Sequence, residues 1–165
     1  MVVVPVHEFS IIASGLSPDA NDFEDRLYEA GCDDATPSFS RGVIVLDFAR
    51  EAHTLEEAIT SAMQDVERAG AKVEHLEPDN LVSLAEIAER AGISRAAVTL
   101  YASGKRGKGF PRPVARITTD SPIWDWVDVA DWLRERRQLS DEKLEEARLL
   151  KRLNVDEVGK KSLTA

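Results

Sequence analysis

Residues 81–104 read LVSLAEIAERAGISRAAVTLYASG, and the reading of this stretch decides the fold of the second half of the chain. Ser83 stands where a helix N-cap belongs and Glu86 follows three residues later. This is the pattern of a capping box, in which each side chain satisfies the other residue's backbone N–H. Leu84, Ile87, Ala88 and Ala91 then recur at helical spacing and form one apolar stripe. Gly92 ends that helix, because glycine enters the left-handed conformation without a Cβ penalty. Ile93 is apolar, and Ser94 caps a second helix over Arg95–Ala102. Ala97, Val98 and Tyr101 of that helix face back toward the first. Small Ala88 lets the two helices approach, Gly92 supplies the tight turn and Val98 fills the gap. Two short helices joined in this way form a helix-turn-helix. The three residues at their mutual spacing are a more specific signal than any one of them alone.

Downstream, the segment SGKRGKGFPRPVAR (103–116) carries Lys105, Arg106, Lys108, Arg112 and Arg116 and no acid. Pro113–Ile117 and Pro122–Trp124, separated by 118–121, read as a β-hairpin, a wing. Asp125 caps a helix from Trp126 to Arg137 with Val129, Trp132 and Leu133 on its inner face. Ser140–Leu153 reads as a last helix, with Leu144, Ala147, Leu150 and Leu153 on one stripe. Residues 154–165 read as a frayed tail.

Upstream, strand and helix signals alternate. His7–Ile12 is a strand that ends at Ser14-Gly15. Ser17-Pro18-Asp19 reads as a helix start, with Ala20, Phe23, Leu27 and Ala30 on one face. Asp34–Phe39 and Val43–Phe48 form a hairpin around Ser40-Arg41-Gly42. Thr54 and Glu57 make a capping box for a helix that runs to Gly70, and Lys72–Leu76 is a short last strand. The order βαββαβ is that of a ferredoxin-like split βαβ sheet with two helices on one face. The fold class expected is therefore α+β. A ferredoxin-like module over 1–77 is followed by a short linker, a winged helix-turn-helix over 81–137, and a C-terminal helix and tail over 138–165.

Charge divides the chain in the same place. Residues 1–80 hold 5 basic and 17 acidic side chains, and residues 81–165 hold 16 and 13, within a net charge of −9. From Arg95 through Thr119 there are six bases and no acid. The acidic balance argues against unselective binding to nucleic acid or anionic membrane over the whole surface. No apolar run approaches the roughly 20 residues that span a bilayer. The start, MVVVPVHEFS, lacks the basic region of a signal peptide. The single Cys32 has no internal disulfide partner, which fits a reducing, cytoplasmic setting.

The stretches SLAEIAERAGISRAAVTLYASG, FPRPVARI and WDWVDVADWL together resemble the helix-turn-helix and winged-helix proteins of the MerR/excisionase superfamily, including AlpA-like regulators. In that superfamily a pair of helices is followed by a wing and by a helix marked with aromatic residues. The resemblance covers roughly a third of the chain and implies binding to double-stranded DNA. The chain departs from typical MerR regulators in lacking their long dimerising coiled coil. As a whole it also resembles small bacterial DNA-binding proteins with an acidic N-terminal module that begins near GLSPDANDFEDRLYEAGCDDAT. That second resemblance implies no activity for the N-terminal part.

A helix that reads sequence enters the major groove while flanking bases neutralise phosphates. On Arg95–Ala102 the side chains not needed for packing are Ser94, Arg95, Ala96, Thr99 and, just past the end, Ser103. Arg95 suits a guanine edge or a phosphate, and Thr99 a base or a thymine methyl. Lys105, Arg106 and Lys108 lie between that helix and the wing, among glycines that let backbone approach phosphates. Arg112 and Arg116 ride on the wing. The plainer alternatives are a solvated basic loop, an Arg95 paired with nearby acids and a Thr99 that is ordinary surface.

Other constellations carry less. The loop 103–109 does not have the G-x-x-x-x-G-K-[ST] spacing of a nucleotide-binding loop. Trp124, Trp126 and Trp132 are placed for core packing rather than for base stacking. Asp19, Asp22, Glu24 and Asp25 lack calcium-loop spacing, and His7, His53, His75 and Cys32 are scattered. We expect no cofactor, metal or catalysis. The leading expectation is a cytoplasmic bacterial transcriptional regulator that binds double-stranded DNA as a homodimer and uses its N-terminal module for dimerisation, a protein partner or a ligand. The rivals are an antitoxin-like or phage-associated interaction adaptor and, more weakly supported, an enzyme built on the first module.

Overall fold

Alternation along Val43–Glu51 sets the first sheet. The computed structural model describes residues 3–158. In it Ile44, Leu46 and Phe48 are buried while Asp47, Ala49 and Glu51 are exposed, the period-2 signature of a sheet covered on one side. The strands are β1 (Val6–Ser14), β2 (Ala35–Ser40), β3 (Val43–Glu51) and β4 (Lys72–Glu77), and the helices between them are α1 (Phe23–Glu29) and α2 (Leu55–Arg68). The sheet order is β2-β3-β1-β4, with every neighbouring pair antiparallel. Phe9, Ile11 and Ala13 of β1 lie opposite Phe48, Leu46 and Ile44 of β3. Their face packs with α2 residues Ala58, Ile59, Ala62, Met63 and Val66, all buried. The β2–β3 hairpin turns on Arg41 (φ 50) and Gly42 (φ 84). Two successive positive φ values are the turn that matches strand twist. Thr54 caps α2 by accepting the Glu57 N–H at 3.1 Å.

The expected helix start at Ser17-Pro18-Asp19 is not one. Residues 17–20 form a β-turn closed by Ala20 N–H to Ser17 O, a second turn closes from Phe23 N–H to Ala20 O, and α1 begins at Phe23. Proline at the second position of a turn and at the first position of a helix require the same φ, so the local signal fits both. The expected frayed tail from Asn154 is likewise corrected. Residues 153–158 continue as a wider helical segment, and the remainder of the tail lies outside the described residues. Asn154 acts as a stand-in strand for the outer edge of β4. Its Oδ1 accepts the Leu76 N–H at 2.8 Å and its Nδ2 donates to Leu76 O at 3.1 Å. Asn154→Ala is expected to destabilise the first unit by about 1–3 kcal/mol, because a partly buried donor and acceptor lose their partner. Loss of hydrogen-exchange protection at the Leu76 amide is the measurement that checks it.

The chain divides into two compact units. One comprises residues up to Pro78 together with the described residues from Arg152 onward, and the other is Asp79–Lys151. The second holds β5 (Leu81–Val82), α3 (Leu84–Ala91), α4 (Arg95–Ala102), β6 (Trp124–Asp125), α5 (Trp126–Glu135) and all but the last residue of α6 (Asp141–Arg152). Ser83 and Glu86 form both bonds of the capping box, Gly92 takes φ 68, and Ser94 caps α4 through the Ala97 N–H. Ile87, Ala88, Val98, Trp126, Val129 and Leu133 share one core with Leu144 and Ala147 of α6. The three tryptophans are buried in it. β5 pairs antiparallel with β6, an arrangement too short to show in the sequence pattern. The expected two-stranded wing is reduced to a single bridge between Ala115 and Ile123, and Trp124 pairs with Val82 instead. Buried Asp125 ties the unit together by accepting from Val127 N, Asn80 Nδ2 and Lys151 Nζ. As a whole the chain is α+β. Among the described residues no helix is long and apolar enough to cross a membrane.

Candidate nucleic-acid interface

The capping serine of α4 leaves the first turn of that helix open to solvent. Ser94, Arg95, Ala96 and Thr99 are all exposed, while Val98 and Tyr101 on the opposite side are buried. Ser94 Oγ accepts the Ala97 N–H at 3.1 Å. Thr99 Oγ1 donates to Arg95 O at 2.9 Å and Ser103 Oγ donates to Leu100 O at 3.2 Å. The Thr99 and Ser103 hydroxyls thus have their protons engaged and lone pairs left to accept a further donor.

Lys105, Arg106, Lys108, Arg112 and Arg116 are also exposed. Together with Arg95 they are six cations, and none of them forms an ion pair among the described residues. Arg26, Arg50, Arg68, Arg134, Arg148, Lys151 and Arg152 do, whereas Arg41, Lys72, Arg136, Arg137 and Lys143 also form none among the described residues, so what sets the six apart is their concentration in one acid-free segment. Arg90, the remaining base of the helix pair, is used internally. It donates to Asp79 O at 2.7 Å and lies 5.8 Å from the Trp126 ring centre, and burial pushes its guanidinium below the usual value.

The basic loop is fastened rather than free. Lys105 and Arg106 N–H groups both donate to Leu100 O. Trp132 Nε1 donates to Lys108 O at 2.9 Å, and Trp124 Nε1 donates to Pro111 O at 3.0 Å. Phe110 packs edge-on against both Trp124 and Trp132, and Tyr101 packs edge-on against Trp132. Gly107 is pressed onto Trp132. A Cβ at that position would stand 3.0 Å from Trp132 Cζ2, and φ is 73. Its glycine character is therefore explained by packing within the unit, where the sequence suggested close approach to a phosphate.

Sequence reading missed Arg136. Its guanidinium stacks over Trp132 at 4.7 Å and over Tyr101 at 5.3 Å, within reach of Gly107, so one more cation lies at the foot of the basic loop. The run Arg134-Glu135-Arg136-Arg137 shows the charge, but not which member stacks on Trp132 and donates to Gln138 Oε1. Arg134 is drawn to Asp131 and Asp141. Near this cluster the Tyr101 hydroxyl is held below its usual pKa, first by its hydrogen bond with Gln138 and then by Arg136 and Arg106.

Arg112 and Arg116 belong to the reduced wing segment. Arg116 has φ 53, and its carbonyl accepts from both the N–H and the hydroxyl of Thr119. Elsewhere, Cys32 is buried with its thiol pushed up to about 11, by desolvation first and by the Asp65 charge next, so it is neutral at physiological pH. No group of side chains able to hold a metal ion occurs among the described residues. No protein-family model, no curated protein and no solved structure matches the chain.

Proposed function

We propose that the protein binds double-stranded DNA in a sequence-dependent way through residues 79–151, as a cytoplasmic bacterial transcriptional regulator without catalytic activity. The observation that carries this reading is the set of six cations on and after α4, without ion pairs among the described residues, in a chain whose net charge is −9. Exposed cations of this kind next to the solvent-facing first turn of a capped helix suit a duplex, where α4 enters the major groove and the loop neutralises phosphates. The reading also treats the first unit as a ferredoxin-like module, supported by its βαββαβ order and its β2-β3-β1-β4 sheet. That module would serve dimerisation, a protein partner or a ligand, and a homodimer would match a palindromic site.

The test is fluorescence anisotropy of labelled duplexes across a salt series, with a randomised pool beside fragments of the region upstream of the gene. We expect binding that weakens steeply with salt and prefers one sequence. The combined variant Arg95→Ala/Lys105→Ala/Arg106→Ala is expected to flatten the slope of log K against log salt by about 0.9 for each phosphate it no longer neutralises. No binding at low salt, or an unchanged slope in the triple variant, overturns the proposal. The adaptor reading, in which the acidic first unit binds a basic protein, would then take its place.

A further inference from the structure

The tip of the reduced wing exposes an apolar side chain where turn chemistry does not call for one. Thr119 N–H donates to Arg116 O at 3.1 Å, closing a four-residue turn with Ile117 and Thr118 at its centre. Thr119 Oγ1 donates to the same carbonyl at 2.9 Å and accepts the Ser121 N–H at 3.2 Å. These bonds hold the tip in one shape. The base of the loop is set by the Ala115–Ile123 bridge, with Val114 N–H donating to Ile123 O at 2.7 Å.

At the leading corner of this turn Ile117 is 67% exposed, and Val114 on the same loop is 50% exposed. Turn corners favour Gly, Pro, Asn, Asp and Ser, each for a backbone reason that isoleucine does not share. An isoleucine there contributes nothing to the core, and its exposure carries a hydrophobic cost. Its immediate neighbour is Arg116, Arg112 lies on the same loop, and neither cation is paired among the described residues. A rigid tip that presents one branched apolar side chain beside arginines has the composition of a minor-groove wedge. Arginine is drawn to the negative potential of that groove, and the apolar side chain enters between base pairs and unstacks them.

We infer that Ile117 is an apolar wedge that unstacks one base step of a bound duplex from the minor groove, with Arg116 and Arg112 seating the tip. The inference rests on the DNA-binding reading and adds to it an activity, local distortion of the duplex. Pyrimidine–purine steps, the most readily unstacked, are the preferred target.

The experiment uses the full chain and the tightest-binding duplex from the randomised pool, with 2-aminopurine walked through successive positions. The wild-type protein should raise the fluorescence of the probe at one step, because unstacking relieves its quenching. Ile117→Ser should abolish that rise while the duplex still binds with the same salt slope, since no cation is removed. Ile117→Leu should retain it, and Arg112→Ala/Arg116→Ala should weaken binding and flatten the slope. Binding without any fluorescence rise, or an undiminished rise in Ile117→Ser, overturns the wedge and leaves DNA binding standing. If Ile117→Ser instead changes the sedimentation of the free protein and leaves the probe signal as in the wild type, the side chain belongs to a contact between copies and the inference falls. Failure of any duplex to bind at low salt overturns both readings together.

Discussion

Arg50→Ala is expected to destabilise the first unit by about 3–5 kcal/mol, because it removes the cation from a buried charge network and leaves the rest in place. Arg50 is 7% exposed on β3. Its Nε and Nη2 donate to the two oxygens of Asp34 at 2.8 and 3.0 Å, a bidentate pair. Nη1 donates to Asp65 Oδ2 at 2.9 Å and to Ser61 Oγ at 3.1 Å, and Nη2 also donates to Gly31 O at 2.7 Å. The guanidinium lies 5.1 Å from the Phe48 ring centre, and the hydrogen bond to Asp34, working against burial, raises its pKa further. One side chain therefore joins the loop between α1 and β2, through Gly31 and Asp34, to α2 and to its own strand β3. Truncation strands two carboxylates and a carbonyl together, with Arg68 alone still donating to Asp65. Arg50→Met fills the space but not the charge, so it should be nearly as damaging. Arg50→Met/Asp65→Leu should cost less than Arg50→Met alone, because the second change removes one of the stranded charges. Urea unfolding of wild type, Arg50→Met, Asp65→Leu and the double variant in a double-mutant cycle measures the coupling. Equal losses in Arg50→Met and the double variant would show that Asp65 is not stranded by loss of the cation.

The sequence could not disclose that network. Arg50 lies two residues past the expected end of its strand, and its partners are at positions 34 and 65. Nothing in a run such as Val43–Glu51 marks the residue at one inward position as a buried cation. The same holds for Asn154, whose partner Leu76 is 78 residues away. What could be read was chemistry that acts over a few residues. Ser83 with Glu86, Gly92 and Ser94 form the caps and turn they spell, and the apolar spacings around them place Ile87, Ala88 and Val98 in the core. The local signals that failed were those consistent with two structures. Ser17-Pro18-Asp19 serves a β-turn as well as a helix start, and Pro122–Trp124 pairs partly with 115 and partly with 82. In the candidate site the bases were visible as a composition anomaly. Their freedom from ion pairs among the described residues, and the stacking of Arg136 on Trp132, depend on packing and became legible only in three dimensions.

Trp132→Ala is expected to cost the second unit about 3–5 kcal/mol, the loss usual for truncating a buried tryptophan. The ring does more than fill space. It packs edge-on against Tyr101 and Phe110, carries Arg136 on one face, supports Gly107, and holds the basic loop by its N–H to Lys108 O. Trp132→Phe separates these roles. It keeps an aromatic ring in the core but removes both the donor to Lys108 O and the outer ring atoms under Gly107, so its cost should be about 1–3 kcal/mol, from the lost bond and the space left behind. Hydrogen exchange should then quicken through 105–110 more than through α5. The same variant should weaken duplex binding severalfold, since a loosened loop must be ordered at the moment of binding and each ordered residue costs roughly 1–2 kcal/mol. Its salt slope should stay at the wild-type value, because every cation is still present. The Arg95→Ala/Lys105→Ala/Arg106→Ala variant should do the reverse and flatten the slope while the loop stays protected. A Trp132→Phe protein with a flattened slope would mean that Trp132 acts through the charges rather than through the shape of the loop. The pair of variants thus separates holding the basic loop in place from supplying its charge.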